Sequence, residues 1–202
     1  MKRKDFLKKT ALAAFSLSAF GSVVRAASGE TWGGDCETTN DILGPFYRPD
    51  APFRSDLTYE ALEGTRINLK GQVFGDDCVT PLPNTLIEIW HCDSQGEYDN
   101  STDKFLHRAR LKTDDKGAYA FHTIVPGKYL NGKLYRPSHI HYRVSEKNSK
   151  ELISQIYFAG DPHITEDPWA SHKKAEHRIL PITPSDTKGN LDILFDIYLA
   201  KK

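Results

Sequence analysis

His139 and His141 are separated by one residue in Tyr135-Arg136-Pro137-Ser138-His139-Ile140-His141. On an extended strand alternate side chains share a face, so both imidazoles project to one side and together can grip one metal ion. Two tyrosines precede them, Tyr98 in Gly96-Glu97-Tyr98 and Tyr129 in Pro126-Gly127-Lys128-Tyr129. Each follows a turn signal, and loops at strand ends are where sites are commonly built. Imidazole plus phenolate, with no cysteine close to the pair, suits a hard, highly charged ion such as Fe(III) better than zinc. Arg143 falls on the same strand face, and three basic groups there need anionic partners, which metal-bound phenolates would supply. Each residue alone has a plainer reading: an H-x-H pair is often a hydrogen-bonded core pair or a structural zinc site, and a tyrosine near a turn is usually a rim aromatic.

The elements that must position these groups are short. Residues 29–63 are rich in Gly, Pro, Asp and Thr, without helical period, and read as an extended arm carrying Gly44-Pro45-Phe46-Tyr47. Beyond it, β-like runs at 66–74, 85–92, 105–113, 118–124, 139–146, 152–158 and 192–199 alternate with turn clusters such as Asp114-Asp115-Lys116-Gly117. This pattern predicts an all-β fold, an antiparallel β-sandwich core with long irregular loops and little helix. Residues 166–177 have room for one or two helical turns. No internal repeat or interdomain linker is visible, so 27–202 reads as a single domain.

The chain has 202 residues, 39% hydrophobic and 11% aromatic, enough for a packed core. Formal charge is zero, but residues 1–26 hold six of the 27 cationic and one of the 27 anionic groups, which leaves 21 against 26, a net of about −5. That balance argues against nucleic acid or an anionic membrane surface as partner. Residues 1–26 read as an export signal: a basic start, an apolar run over 10–24, and small residues around a cleavage point after Ala26. The run is shorter than the ~20 residues of a comfortable membrane span. Arg3-Lys4-Asp5-Phe6-Leu7-Lys8 resembles a twin-arginine signal with lysine in the second position. The mature protein is therefore expected in the periplasm or outside the cell. Cys36, Cys78 and Cys92 allow one disulfide there. If 68–75 and 85–92 form a simple hairpin, Cys78 and Cys92 lie at its opposite ends, beyond disulfide reach, which favours Cys36 with one of the two.

The ordered motifs Gly44-Pro45-Phe46-Tyr47, Pro81-Leu82-Pro83-Asn84, Glu88-Ile89-Trp90-His91-Cys92-Asp93, Gly96-Glu97-Tyr98, Pro126-Gly127-Lys128-Tyr129, Arg136-Pro137-Ser138-His139-Ile140-His141 and Gln155-Ile156-Tyr157-Phe158 resemble the intradiol ring-cleavage dioxygenases, the group of protocatechuate 3,4-dioxygenase and catechol 1,2-dioxygenase. The likeness covers roughly residues 40–200. It implies one non-haem Fe(III) held by Tyr98 and His139 in equatorial positions and by Tyr129 and His141 as the axial pair. Arg136 matches the family arginine that faces the bound aromatic. Gln155 matches the glutamine beside the ring carbon that reacts with oxygen, and Tyr129 would also act as a general base. The implied reaction cleaves a catechol-type diol with O2 between its hydroxyl-bearing carbons, giving a cis,cis-muconate-type diacid.

Three departures bear on substrate and assembly. The connection from Tyr129 to His139 is shorter than in the best-known members. Leu43 stands where many relatives carry an acidic residue. The long helical N-terminal region through which catechol 1,2-dioxygenases pair is missing, so a homo-oligomer stays open. Selectivity is expected in loops 44–58, 98–106 and 129–135. His91, His107, His122, His163, His172 and His177 read as structural or surface residues. Two other readings compete: a cupin-type Fe(II) dioxygenase, which needs a carboxylate or third histidine, and a non-catalytic transthyretin-like sandwich of the cell envelope.

Overall fold

Alternation makes the strands. In β1 (Arg66–Phe74) Ile67, Leu69 and Val73 are buried while Asn68, Lys70 and Gln72 are not, the period-2 pattern of a strand with one face on a core. The computed structural model describes residues 36–186 and 189–202, so the expected export signal lies outside the described residues. After β1 come β2 (Leu86–Trp90), β3 (Arg108–Lys112), β4 (Ala118–Ile124), β5 (Tyr129–Asn131), β6 (Leu134–Arg136), β7 (His139–Ser145) and β8 (Leu152–Phe158). A 3-10 helix (Lys173–Arg178) follows, then β9 (Ile179–Leu180), β10 (Thr183–Pro184), β11 (Leu191–Leu194) and β12 (Ile197–Tyr198).

Two five-stranded sheets form the expected sandwich. In the first, β1 pairs antiparallel with β4 and parallel with β11 and β12, and β10 extends β11. The second runs β3-β2-β7-β8-β9, antiparallel except for the last pair. β5 and β6 form a separate hairpin. The expected single strand over 192–199 is split, because Asp196 turns its carboxylate onto the Gln72 amide between β11 and β12. The run at 105–113 starts as a strand only at Arg108, since Phe105 and His107 sit at positive φ. β1 and β2 do not form a hairpin: they belong to different sheets. The loop after β1 carries Cys78, which is disulfide-bonded to Cys36 on the arm, while Cys92 is a buried free thiol.

Ile67, Leu69, Val73 and Phe121 of one sheet meet Ile87, Ile89, Ile140, Tyr142, Val144 and Ile156 of the other in one apolar core. The arm runs along the edges of both sheets, its backbone donating from Thr38 to Tyr198 and from Leu57 to His122 of the first, and from Asp41 to Ile153 and from Arg54 to Arg110 of the second. Between these points Gly44 and Tyr47 cover the outer face of the second sheet at His141 and Trp90. This extended cover turns an outer sheet face into a second interior.

Candidate metal centre

Strand register assembles the site. On the outer face of the second sheet Arg108, Trp90, His141 and Gln155 lie across β3, β2, β7 and β8 in consecutive pairs, and His139 stands opposite Tyr157. Both histidines of the H-x-H pair are 1% exposed, with ring centroids 5.0 Å apart. His139 shares its Nδ1 with the Pro137 carbonyl at 2.6 Å, which fixes the tautomer that leaves Nε2 with a lone pair. His141 is stacked on the Trp90 indole at 4.8 Å. Gly44 lets the arm pass close: it sits at φ +72, and a Cβ there would meet His141 Cε1 at 3.0 Å.

The two tyrosines arrive from loops. Asp93 organises the first, its carboxylate accepting from the Gln95 and Glu97 amides and its carbonyl from Gly127. Gly96, at φ +91, touches this second loop so closely that a Cβ would lie 2.5 Å from the Lys128 carbonyl. Tyr98, two residues beyond Gly96, and Tyr129, directly after Lys128, therefore converge, with ring centroids 5.8 Å apart. Tyr129 is 5.6 Å from His139 by the same measure. Phe46 of the arm stacks on Tyr98 at 4.2 Å, and the buried guanidinium of Arg108 stands 5.8 Å from that ring. The structure thus brings Tyr98, Tyr129, His139 and His141 together.

Three buried polar atoms in this cluster have no protein partner: Tyr98 Oη, His139 Nε2 and His141 Nδ1. Trp90 Nε1, on the ring stacked beside His141, has no partner either. Buried polar groups are normally hydrogen-bonded, so orphans gathered on adjoining rings point to a missing ligand. Burial depresses His139 to about 3, helped by the charge of Arg136, and holds His141 well below the ordinary imidazole range. Both rings are neutral at pH 7, the form that binds metals. Burial also raises the Tyr98 and Tyr129 phenols, against the opposing pull of Arg136. Only a strongly polarising cation would ionise them. Among the described residues no group of three His, Cys, Asp or Glu is placed to hold a metal, and the other side-chain donors beside the two histidines are the phenol oxygens of Tyr98 and Tyr129. This donor set fits a hard trivalent ion.

The third basic group on the strand face is compensated differently from the expectation. Arg143 pairs with Glu88 at 3.4 Å and Glu151 at 2.8 Å, so no metal-bound phenolate is needed. Arg136 is 3% exposed and directs Nε at Asp167 Oδ2 (2.6 Å) and Nη2 at Gln155 Oε1 (2.9 Å). Tyr129 is its opposite number across the β5–β6 hairpin, and the Arg136 charge favours the Tyr129 phenolate. The Gln155 amide is fully committed, donating Nε2 to Asp41 and to the Ile42 carbonyl. Asp41 in turn pairs with Arg178 at 2.6 Å and accepts from the Tyr157 hydroxyl. Asp41, Asp167, Arg178 and the Trp90 stack were not singled out from sequence. Asp41 and Asp167 are isolated loop residues and Arg178 ends the 3-10 helix, none at a spacing that marks it, and the motif that contains Trp90 does not say which ring it stacks on. Of the remaining histidines, His91 bonds Thr123 and the Cys92 carbonyl, while His122 and His163 bond Asn68 and Lys128.

A family model described as Dioxygenase matches residues 42–200. The chain is 34% identical over 187 residues to the protocatechuate 3,4-dioxygenase beta chain of Burkholderia cepacia, covering 81% of this chain and 79% of that one. It is also 34% identical over 151 residues to catechol 1,2-dioxygenase 2 of Acinetobacter lwoffii, where it spans 64% of this chain but only about half, 54%, of the relative. Among solved structures, the dioxygenase domain of a dioxygenase carbohydrate-binding protein fusion from Streptomyces sp. SirexAA-E superposes with a TM-score of 0.71 at 28% identity, covering 82% of this chain and 99% of that domain. The chain belongs to the intradiol ring-cleavage dioxygenase family.

Proposed function

We propose that the protein uses ferric iron to cleave a catechol-type diol with O2, between the two hydroxyl-bearing carbons, to a cis,cis-muconate-type diacid. The observation that carries this reading is the cluster of orphaned donors, Tyr98 Oη, His139 Nε2 and His141 Nδ1, beside Tyr129. Tyr98, Tyr129, His139 and His141 would hold the iron. Bound there, Fe(III) would supply a Lewis acid that draws electron density from a diolate and opens its ring to O2.

The chain's own residues do the rest. Tyr129 lies on a small hairpin outside both main sheets and is half-buried, so it is the candidate ligand best able to move. As a phenolate it takes a substrate hydroxyl proton at Oη. Arg136 carries a buried positive charge beside it and stabilises negative charge on the bound diolate, in a setting where water screens little. Gln155 orients that guanidinium through Oε1. Phe46 and Trp90 stack on Tyr98 and His141 and hold their planes.

We also propose that the protein acts outside the cytoplasm. The Cys36–Cys78 disulfide supports this, since such bonds persist in oxidising compartments. Iron-loaded wild-type protein should be coloured by tyrosinate-to-iron charge transfer and consume O2 with catechol, protocatechuate, hydroxyquinol or a caffeate-like diphenol. Tyr98→Phe should weaken the colour and cut turnover at least a hundredfold. A colourless ferric protein inert to all four diols overturns the reading.

A further inference from the structure

Arg136 is held from three sides, two of them by a turn outside the strands and the third by Gln155 of β8. The turn runs through Asp167-Pro168-Trp169-Ala170 and docks on the sheet by packing Ala170 and Ala175 against Tyr157. Asp167 is 1% exposed. Its Oδ1 accepts from the backbone amides of Trp169 (3.0 Å) and Ala170 (2.7 Å), so the carboxylate cannot rotate freely. Its Oδ2 receives Arg136 Nε at 2.6 Å. The Trp169 indole covers the guanidinium face at 4.4 Å, and the residue also lines a cleft of about 230 Å³ with Asn40, Ile42 and Lys174. Gln155 fixes the Nη2 edge. Nη2 also reaches the Tyr157 hydroxyl at 3.5 Å. Across the β5–β6 hairpin Arg136 stands opposite Tyr129, and its charge favours the Tyr129 phenolate.

A buried ion pair is a poor device for stability alone, because desolvating both charges offsets their attraction. Its specific effect here is geometric. The anchored carboxylate sets the plane of Arg136 and how far its charge reaches toward Tyr129.

We propose that Asp167 is a positioning residue for the reaction: held by its own backbone turn, it aims Arg136 at the diolate. This deepens the function proposed above and rests on it. Asp167→Asn keeps an oxygen for the two amides but turns a donor or a neutral acceptor toward Arg136. Measured per bound iron, kcat should fall by roughly 10- to 100-fold, the cost of misplacing a charge by about 1 Å. KM should change less than threefold, and the charge-transfer band should persist, since no candidate ligand is touched. In metal-free protein, the Arg136 Nε–H resonance in a proton–nitrogen spectrum should be protected from water exchange in wild type and lose that protection in D167N. Should D167N fold poorly, Asp167→Glu keeps the charge and displaces it by one methylene, with at least a fivefold lower kcat expected. A wild-type kcat in either variant, within twofold, or unchanged Nε–H protection in D167N, overturns the proposal. A wild-type protein inert to every diol sinks the function reading instead.

Discussion

β7 separates two interiors. Ile140, Tyr142 and Val144 point into the space between the sheets, where every neighbour is apolar or aromatic. His139, His141 and Arg143 point the other way, under the arm, among Arg108, Glu88, Gln155 and Tyr157. The first interior is closed by another sheet, whose backbone is already satisfied by its own ladder. The second is closed by irregular chain, whose backbone groups and charged side chains must find partners there. One strand therefore serves both: its inner residues drive collapse, and its outer residues are held rigidly by that collapse for chemistry.

The largest test of this contrast sets the Asp41–Arg178 pair against Ile140. Arg178→Met leaves the Asp41 carboxylate buried without its guanidinium and should cost about 3–5 kcal/mol in urea unfolding. Ile140→Ala should cost about 2–5 kcal/mol by cavity formation. The two losses differ in what repairs them. Adding Asp41→Asn to Arg178→Met removes the stranded charge, keeps an acceptor for Gln155 and Tyr157, and should recover more than 1 kcal/mol. No charge change should repair Ile140→Ala. If the second substitution deepens the loss, the outer interior is not governed by charge compensation.

The same contrast explains what could be read from sequence. Alternation in 66–74 and 118–124 gives strands with those bounds, because each needs only one apolar face, while 152–158, buried on both faces, shows as a short apolar and aromatic run between turn signals. The H-x-H spacing places His139 and His141 on one face for the same reason. The motif resemblance supplies Tyr98 and Tyr129, whose meeting depends on Gly96 packing against Lys128 across a long loop. Residues such as Asp167 were not legible. Its partner is 31 residues away, and nothing local in Asp167-Pro168-Trp169 records which arginine it must reach. The hairpin of 68–75 with 85–92, posed only as a condition, does not form: local pattern gives strands without partners, and the partners here are non-consecutive.

Acid sharpens the comparison next. The unfolded chain takes up protons on its imidazoles below about pH 6.5, whereas burial keeps them off His139 until about 3 and off His107 until about 4. His91 and His141 are depressed for the same reason. Across that window the unfolded state binds more protons, so the metal-free protein loses stability as pH falls. The loss is about 1 kcal/mol per pH unit for each such histidine. His139→Gln should lower the slope of unfolding free energy between pH 6 and 5 by that amount. Ile140→Val, on the other face of the strand, should leave the slope unchanged. Equal slopes in wild type and His139→Gln would mean that His139 is not held neutral.

The smallest effect is expected where geometry is equally good but water is present. Lys70 meets Asp192 at 2.6 Å, the same separation as Arg178 and Asp41, yet the lysine side chain is 49% exposed against 3% for the arginine. Lys70 and Asn68 together hold the Asp192 carboxyl down at about 2, which by itself would suggest a strong pair. Solvent screens the attraction, however, and the free lysine loses rotamer freedom to make it. Lys70→Ala should therefore change unfolding free energy by less than about 1 kcal/mol, and the difference should shrink in 0.5 M salt, where the screening length falls to roughly 4 Å. Arg178→Met should be nearly insensitive to the same salt. A salt-independent loss above 2 kcal/mol from Lys70→Ala would show that burial is not what separates the two interiors, and that contact distance alone sets the strength of a pair.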